Sequence, residues 1–232
     1  MKLIVLPFAG GNKYSYSFFR KTMPTVEIIN LEYPGRGARM KEPLLDDIDE
    51  IVDDIHLLIK NNVTNEEPFS IYGHSMGGLI GYLVSIKMQK DNEIKPKCLI
   101  VSGRYSPTIN NSESTYDLPS ETFWQSVFDL EGTPVEIANE EKLRSLFEPI
   151  LRNDFKVIET YSPRNLLLLE TPIEVLYGQK ESIDQLSFFH KWNEVSSKPV
   201  NFHEFEGGHF FILNKQKEVS ELIQNVLERE SK

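Results

Sequence analysis

The sequence predicts an α/β fold: a mainly parallel sheet covered by helices on both faces. Short runs rich in Val, Ile, Leu, Phe and Tyr recur at 3–6, 26–31, 69–72, 98–102, 173–177 and 200–205, most of them closed by Gly or Pro. Between most of these runs, apolar residues repeat at helical spacing, and strands that alternate with helices form parallel sheets. The alternation fails only from 112 to 161, where the sequence is helix-like throughout.

The opening run, Leu3-Ile4-Val5-Leu6, has the look of a secretion signal, but Pro7, Gly10 and Gly11 interrupt it and Lys13 follows, so it reads as a first strand. Beyond the loop Pro7-Phe8-Ala9-Gly10-Gly11, the residues Tyr16, Phe18 and Phe19 read as a helix. After the second strand, Ile48, Ile51, Val52, Ile55, Leu58 and Ile59 form the apolar face of an amphipathic helix, with acidic residues opposite. The helix expected after the third strand carries Leu79, Ile80, Tyr82, Leu83, Val84 and Ile86, apolar nearly all round, which calls for deep packing against the sheet. The fourth strand holds Cys98, the one cysteine, so no internal disulfide exists and a buried core thiol in a reducing compartment is expected. Candidate helices at 118–130 and 140–161 flank Gly132-Thr133-Pro134, and the insertion they form at 112–161 is expected to lie over the carboxyl end of the sheet as a lid. Val219, Leu222, Ile223, Val226 and Leu227 mark the closing helix.

At 232 residues, with 40% hydrophobic and 26% charged residues, the chain suits a single domain over 1–232, read as a monomer. Its net charge of -10 argues against nucleic acid, whose phosphates are neutralised by clustered Lys and Arg. No apolar run approaches the roughly 20 residues that span a bilayer, so a cytoplasmic protein with no membrane contact is expected. The scattered histidines have no cysteine partners and no i, i+4 pair, so no metal site is predicted.

A serine hydroxyl becomes a nucleophile only when it is held exposed, beside a base, with donors ready for the developing oxyanion. Gly73-His74-Ser75-Met76-Gly77 follows a strand and precedes a helix, the setting of a nucleophile elbow, and makes Ser75 the candidate nucleophile of an α/β-hydrolase fold. The backbone N–H of Met76, at the helix start, is then one oxyanion donor. Phe8 and Ala9, in the loop after the first strand, are the candidates for the second.

Among five histidines, His56 falls in an amphipathic helix, His203 in a strand, His74 in the elbow as a packing residue, and His190 on a helix surface. His209 alone occupies a loop between the last strand and the last helix, and the order Ser, acid, His is the one this fold uses. Orienting that imidazole requires a carboxylate after the fifth strand, where Glu181 and Asp184 both qualify; Glu204 and Glu206 are poorer choices.

Together, Pro7-Phe8-Ala9-Gly10-Gly11, Tyr33-Pro34-Gly35-Arg36-Gly37, Gly73-His74-Ser75-Met76-Gly77-Gly78 and Gly207-Gly208-His209-Phe210-Phe211 resemble the external, or type II, thioesterases of nonribosomal peptide and polyketide synthases. The resemblance spans nearly the whole chain. Gly132-Thr133-Pro134 and the stretch from Leu151-Arg152-Asn153-Asp154-Phe155 to Glu159-Thr160-Tyr161 are similar to that family's lid. The resemblance implies a proofreading hydrolase that clears acyl groups from the 4'-phosphopantetheine arm of acyl or peptidyl carrier domains, with no bound cofactor. Ser75, His209 and the Met76 backbone match directly. The acid departs from the pattern: the family usually places aspartate three residues after the glycine matching Gly178, and this chain has Glu181, so Asp184 stays open. Lys13, Arg36 and Arg39 are available to a phosphate but read more simply as surface charges. The same triad would also serve an esterase or a fatty-acyl carrier thioesterase. A carrier-binding accessory protein with a decayed site is the non-enzymatic alternative.

Overall fold

The computed structural model describes residues 1–231 apart from 65–66, 93, 110–113, 164–165 and 183–184. Six strands form where the apolar runs lie: β1 (Lys2–Leu6), β2 (Glu27–Asn30), β3 (Phe69–His74), β4 (Leu99–Ser102), β5 (Ile173–Gly178) and β6 (Asn201–Phe205). All pair in parallel in the order β2-β1-β3-β4-β5-β6. The inner strands β3, β4 and β5 are buried at every position, whereas the edge strands β2 and β6 are partly exposed. Burial on both faces explains why the inner runs show no polar alternation.

The helices are α1 (Phe19–Thr22), α2 (Ile48–Asn62), α3 (Met76–Lys90), α4 (Ser120–Asp129), α5 (Val135–Asn139), α6 (Glu141–Glu159), α7 (Gln179–Ser182), α8 (Leu186–His190), α9 (Phe211–Asn214) and α10 (Gln216–Glu230). On one face, Ile51, Ile55 and Ile59 of α2 and Leu79 and Ile80 of α3 pack with Ile4, Leu6, Ile71 and Leu99. On the other, Val219, Ile223 and Val226 of α10 and Phe19 of α1 pack with Leu3, Val5, Tyr72 and Ile100. The side-chain alternation of β1 thus feeds both cores. Asp47 starts α2 by accepting the N–H groups of Asp49 and Glu50.

From β1 the chain steps outward to β2, then returns to the far side of β1 to lay down β3. The strand order reverses there, and in open parallel sheets the crevice at the carboxyl ends of such strands is where ligands bind. The two loops leaving that crevice are 7–11, after β1, and the turn at Ser75, after β3.

Three expectations are revised. The helix expected from Tyr16 begins only at Phe19, because Asn12 and Ser15 bond locally to the backbone, through Asn12 N–H to Ser15 Oγ and Tyr14 N–H to Asn12 Oδ1, and turns result. Within the insertion, an additional short helix, α5, starts behind Pro134, whose fixed φ suits a helix entry. Arg36 is not a surface charge: it is 5% exposed, and its guanidinium forks onto Asp154 of α6 at 2.5 and 2.6 Å. Arg39 is likewise engaged, by Asp54 and Glu42.

Phe123, Trp124 and Val127 of α4 form a separate apolar cluster with Phe147, Leu151 and Phe155 of α6. No helix among the described residues is long and apolar enough to cross a membrane.

Candidate active site

The turn after β3 holds Ser75 at φ 53° and ψ −115°, a left-handed conformation that costs a non-glycine residue on the order of 1–3 kcal/mol. Its own bonds hold it there: Ser75 N–H donates to the Ser102 carbonyl at 2.8 Å, and its carbonyl accepts from Gly78 N–H at 3.0 Å. A Cβ on Gly73 would collide with the Gly77 carbonyl, and one on Gly77 with the carbonyls of Leu6 and Pro7. Only glycines let the turn close this tightly and seat it against the end of β1. Ser75 is partly exposed and lines a cavity of about 510 Å³. Met76 opens α3, so its N–H has no helical acceptor and sits at the positive end of the helix dipole.

His209 and Glu181 line the same cavity. Glu181, on the single turn α7 behind β5, accepts from His209 Nδ1 at 2.6 Å through Oε1 and from Gly178 N–H at 3.3 Å through Oε2. A carboxylate oxygen can only accept, so Nδ1 carries the hydrogen and Nε2 is left as the free base. Gly178 makes the meeting possible, since a Cβ there would strike the carbonyls of Gly207 and Gly208. The two side chains are only 15% and 14% exposed, and Phe210 packs edge-on against the imidazole at 5.1 Å. The longer glutamate side chain therefore does reach the imidazole. Asp184 lies outside the described residues. Glu206 pairs with Lys215 instead.

The other histidines are placed elsewhere. His203 Nε2 binds the buried Glu174 at 2.6 Å, His190 stacks on Phe202, and His56 is buried on α2. His74 lies beneath the site. Its ring is 4.9 Å from that of His209, its Nδ1 is 3.0 Å from Ser102 Oγ, and its Nε2 is buried without a hydrogen-bond partner among the described residues. Burial, aided by the neighbouring His209, holds His74 well below its ordinary value of 6.5 and therefore neutral. The unfolded chain takes up a proton near pH 6.5 that the native state refuses, so stability is full above that pH and falls as the pH drops toward the depressed native value. Urea unfolding at pH 7.5 and 5.5 should show a total loss between the two of about 1.4 kcal/mol in the parent that His74→Gln removes. Equal slopes in the two proteins would mean that His74 is protonated in the fold.

The loop after β1 forms the remaining wall. Gly10 N–H is committed to Asp154 at 2.7 Å and Gly11 N–H to the Phe8 carbonyl at 2.8 Å, which leaves the amides of Phe8 and Ala9 as the loop's candidates. Trp124, Val127, Phe147, Phe155 and Ile158 give the cavity an apolar side. Among the described residues, no group of three or more His, Cys, Asp or Glu side chains is placed to hold a metal ion. The pairing of Arg36 with Asp154 was not foreseen. The two residues sit 118 positions apart, and no local spacing relates them.

A serine on a strained turn, an imidazole held in one tautomer by a carboxylate, and backbone amides lining one crevice can together support acyl transfer through a covalent serine ester. The model of the thioesterase domain matches residues 1–227. The chain is 28% identical over 228 residues to thioesterase PikA5 of Streptomyces venezuelae, covering 98% of this chain and 81% of that protein. It is 28% identical over 225 residues to the gramicidin S biosynthesis protein GrsT of Aneurinibacillus migulanus, covering 96% and 87%. Among solved structures, ClbQ from the colibactin NRPS/PKS pathway superposes with a TM-score of 0.88 at 25% identity, over 99% of this chain and 98% of that one.

Proposed function

The chain belongs to the thioesterase domain family, and on that premise we propose that it hydrolyses acyl or aminoacyl thioesters held on the phosphopantetheine arm of carrier proteins. The relatives named for gramicidin S and colibactin biosynthesis support a role beside nonribosomal peptide or polyketide synthases, clearing stalled or wrong acyl groups. The observation that carries the reading is that Ser75 on its strained turn and the His209–Glu181 pair face one crevice at the carboxyl edge of the sheet.

In this reading Ser75 Oγ attacks the thioester carbonyl while His209 Nε2 takes its proton. Glu181 steadies the imidazolium that results. The oxyanion is held by Met76 N–H and by an amide of Phe8 or Ala9. Collapse expels the pantetheine sulfur, which receives the proton from His209 and leaves as the thiol. Water then gives a proton to His209 and attacks the acyl-serine, and the carboxylic acid departs as Ser75 recovers its hydrogen. The insertion at 112–161 acts as the lid of a single domain, and its apolar wall receives the acyl chain.

The test is a matched panel of one acyl group on a carrier protein, on pantetheine, on coenzyme A and in a simple ester, with the released acid followed by mass spectrometry. Carrier-bound acyl should be hydrolysed with the highest kcat/KM. Rapid turnover of the ester with none of the carrier thioester would reject the carrier assignment.

A further inference from the structure

The loop that lines the oxyanion side of the crevice is tied to the helical insertion by one buried ion pair. Asp154, on α6, is fully buried and accepts from both terminal nitrogens of Arg36. The same oxygen that meets Arg36 Nη1, Oδ2, also accepts the N–H of Gly10 at 2.7 Å. Arg36 Nη1 approaches the Gly11 carbonyl at 3.5 Å, and its guanidinium lies over the ring of Tyr33 at 5.3 Å. The Tyr33 hydroxyl donates to the Pro7 carbonyl at 3.0 Å. Pro7, Gly10 and Gly11 are thus all held by this assembly, and the residues between the held points are Phe8 and Ala9.

Stability does not account for the arrangement. Desolvating two charges roughly cancels their attraction, so a buried pair is weak evidence of a gain in folding energy. Its geometry is specific, however: a bidentate fork fixes direction as well as distance, and the second lone pair of Oδ2 is spent on a loop amide. Oxyanion donors need that control, because they act only when aligned to within about 0.5 Å of the position the oxyanion will take.

We propose that Arg36 and Asp154 are positioning residues for the thioesterase reaction, holding loop 7–11 so that the Phe8 and Ala9 amides face the oxyanion. The inference rests on the serine thioesterase reading above. Neither residue touches the acyl group. Their effect is on kcat.

The test compares Arg36→Leu/Asp154→Leu with Arg36→Leu/Asp154→Asn on octanoyl-pantetheine. Both doubles lack charge and leave no ion unpaired, and only the second keeps an oxygen for Gly10 N–H. The first should melt near the parent yet lose about 10- to 100-fold in kcat, with KM changed less than threefold and the acidic limb of the pH profile of kcat/KM in place. The second should recover most of that loss. A third variant, Arg36→Lys, keeps the charge but not the fork, and should fold and lose kcat by a smaller factor. Parental kcat in a folded Leu/Leu protein, or a change confined to KM, would overturn the proposal. If the Leu/Leu protein does not fold, Arg36→Lys with parental kcat would overturn it. A parent that neither turns over the thioester nor is labelled at Ser75 by a fluorophosphonate would instead reject the thioesterase reading itself.

Discussion

Ser75→Ala should lower thioester hydrolysis by about 10⁴-fold or more and abolish covalent labelling by a serine-directed phosphonate, while the protein stays folded. The magnitude follows from what the hydroxyl does. Without it no acyl-enzyme forms, and only the oxyanion donors and substrate binding are left to assist direct attack by water. Folding should tolerate the change, because the strain at φ 53° belongs to the backbone and alanine removes only one partly exposed oxygen. Turnover is read on an acyl-pantetheine thioester and labelling by intact-protein mass spectrometry. Parental turnover in the variant would reject the nucleophile assignment. A parent that binds loaded carriers but never hydrolyses them would favour an accessory protein with a decayed site.

Glu181→Gln should reduce kcat on the order of 10³-fold, whereas Asp184→Asn should stay within a few-fold of the parent. The amide is nearly isosteric, so packing around α7 is kept. An amide can offer an N–H to Nδ1 and so favour the wrong tautomer, and it carries no charge to steady the imidazolium. The 2.6 Å contact from Glu181 Oε1 to His209 Nδ1 motivates the assignment. The two variants are compared by steady-state kinetics on the same thioester. The reverse ranking, with Asp184→Asn slow and Glu181→Gln fast, would move the acid role to Asp184.

The strands were legible because burial on both faces leaves nearly continuous apolar runs, and β3, β4 and β5 are buried throughout. The turn at Ser75 was legible because it needs two glycines at fixed offsets, one to clear the Gly77 carbonyl and one to clear the end of β1. His209 could be singled out by topology, as the histidine in the loop between the last strand and the last helix. The short helix α5 was not foreseen, since five residues with no buried side chain leave no periodic signal. Nor was the burial of Arg36. An arginine beside two glycines reads as a turn charge until its carboxylate is known.

By itself the sequence determined the class of fold, the sharp turn that presents Ser75, and the two loops that must meet it, because each leaves a short pattern in the chain, an apolar run or glycines at fixed offsets. Tertiary structure decided that Glu181 reaches His209 and that Arg36 is buried against Asp154. Glu181 meets the imidazole because bare Gly178 lets the loop of Gly207 and Gly208 settle against the end of β5. Arg36 meets Asp154 because α6 crosses over the loop after β1. Such contacts depend on the packing of elements far apart in the chain, and short-range spacing carries no record of them.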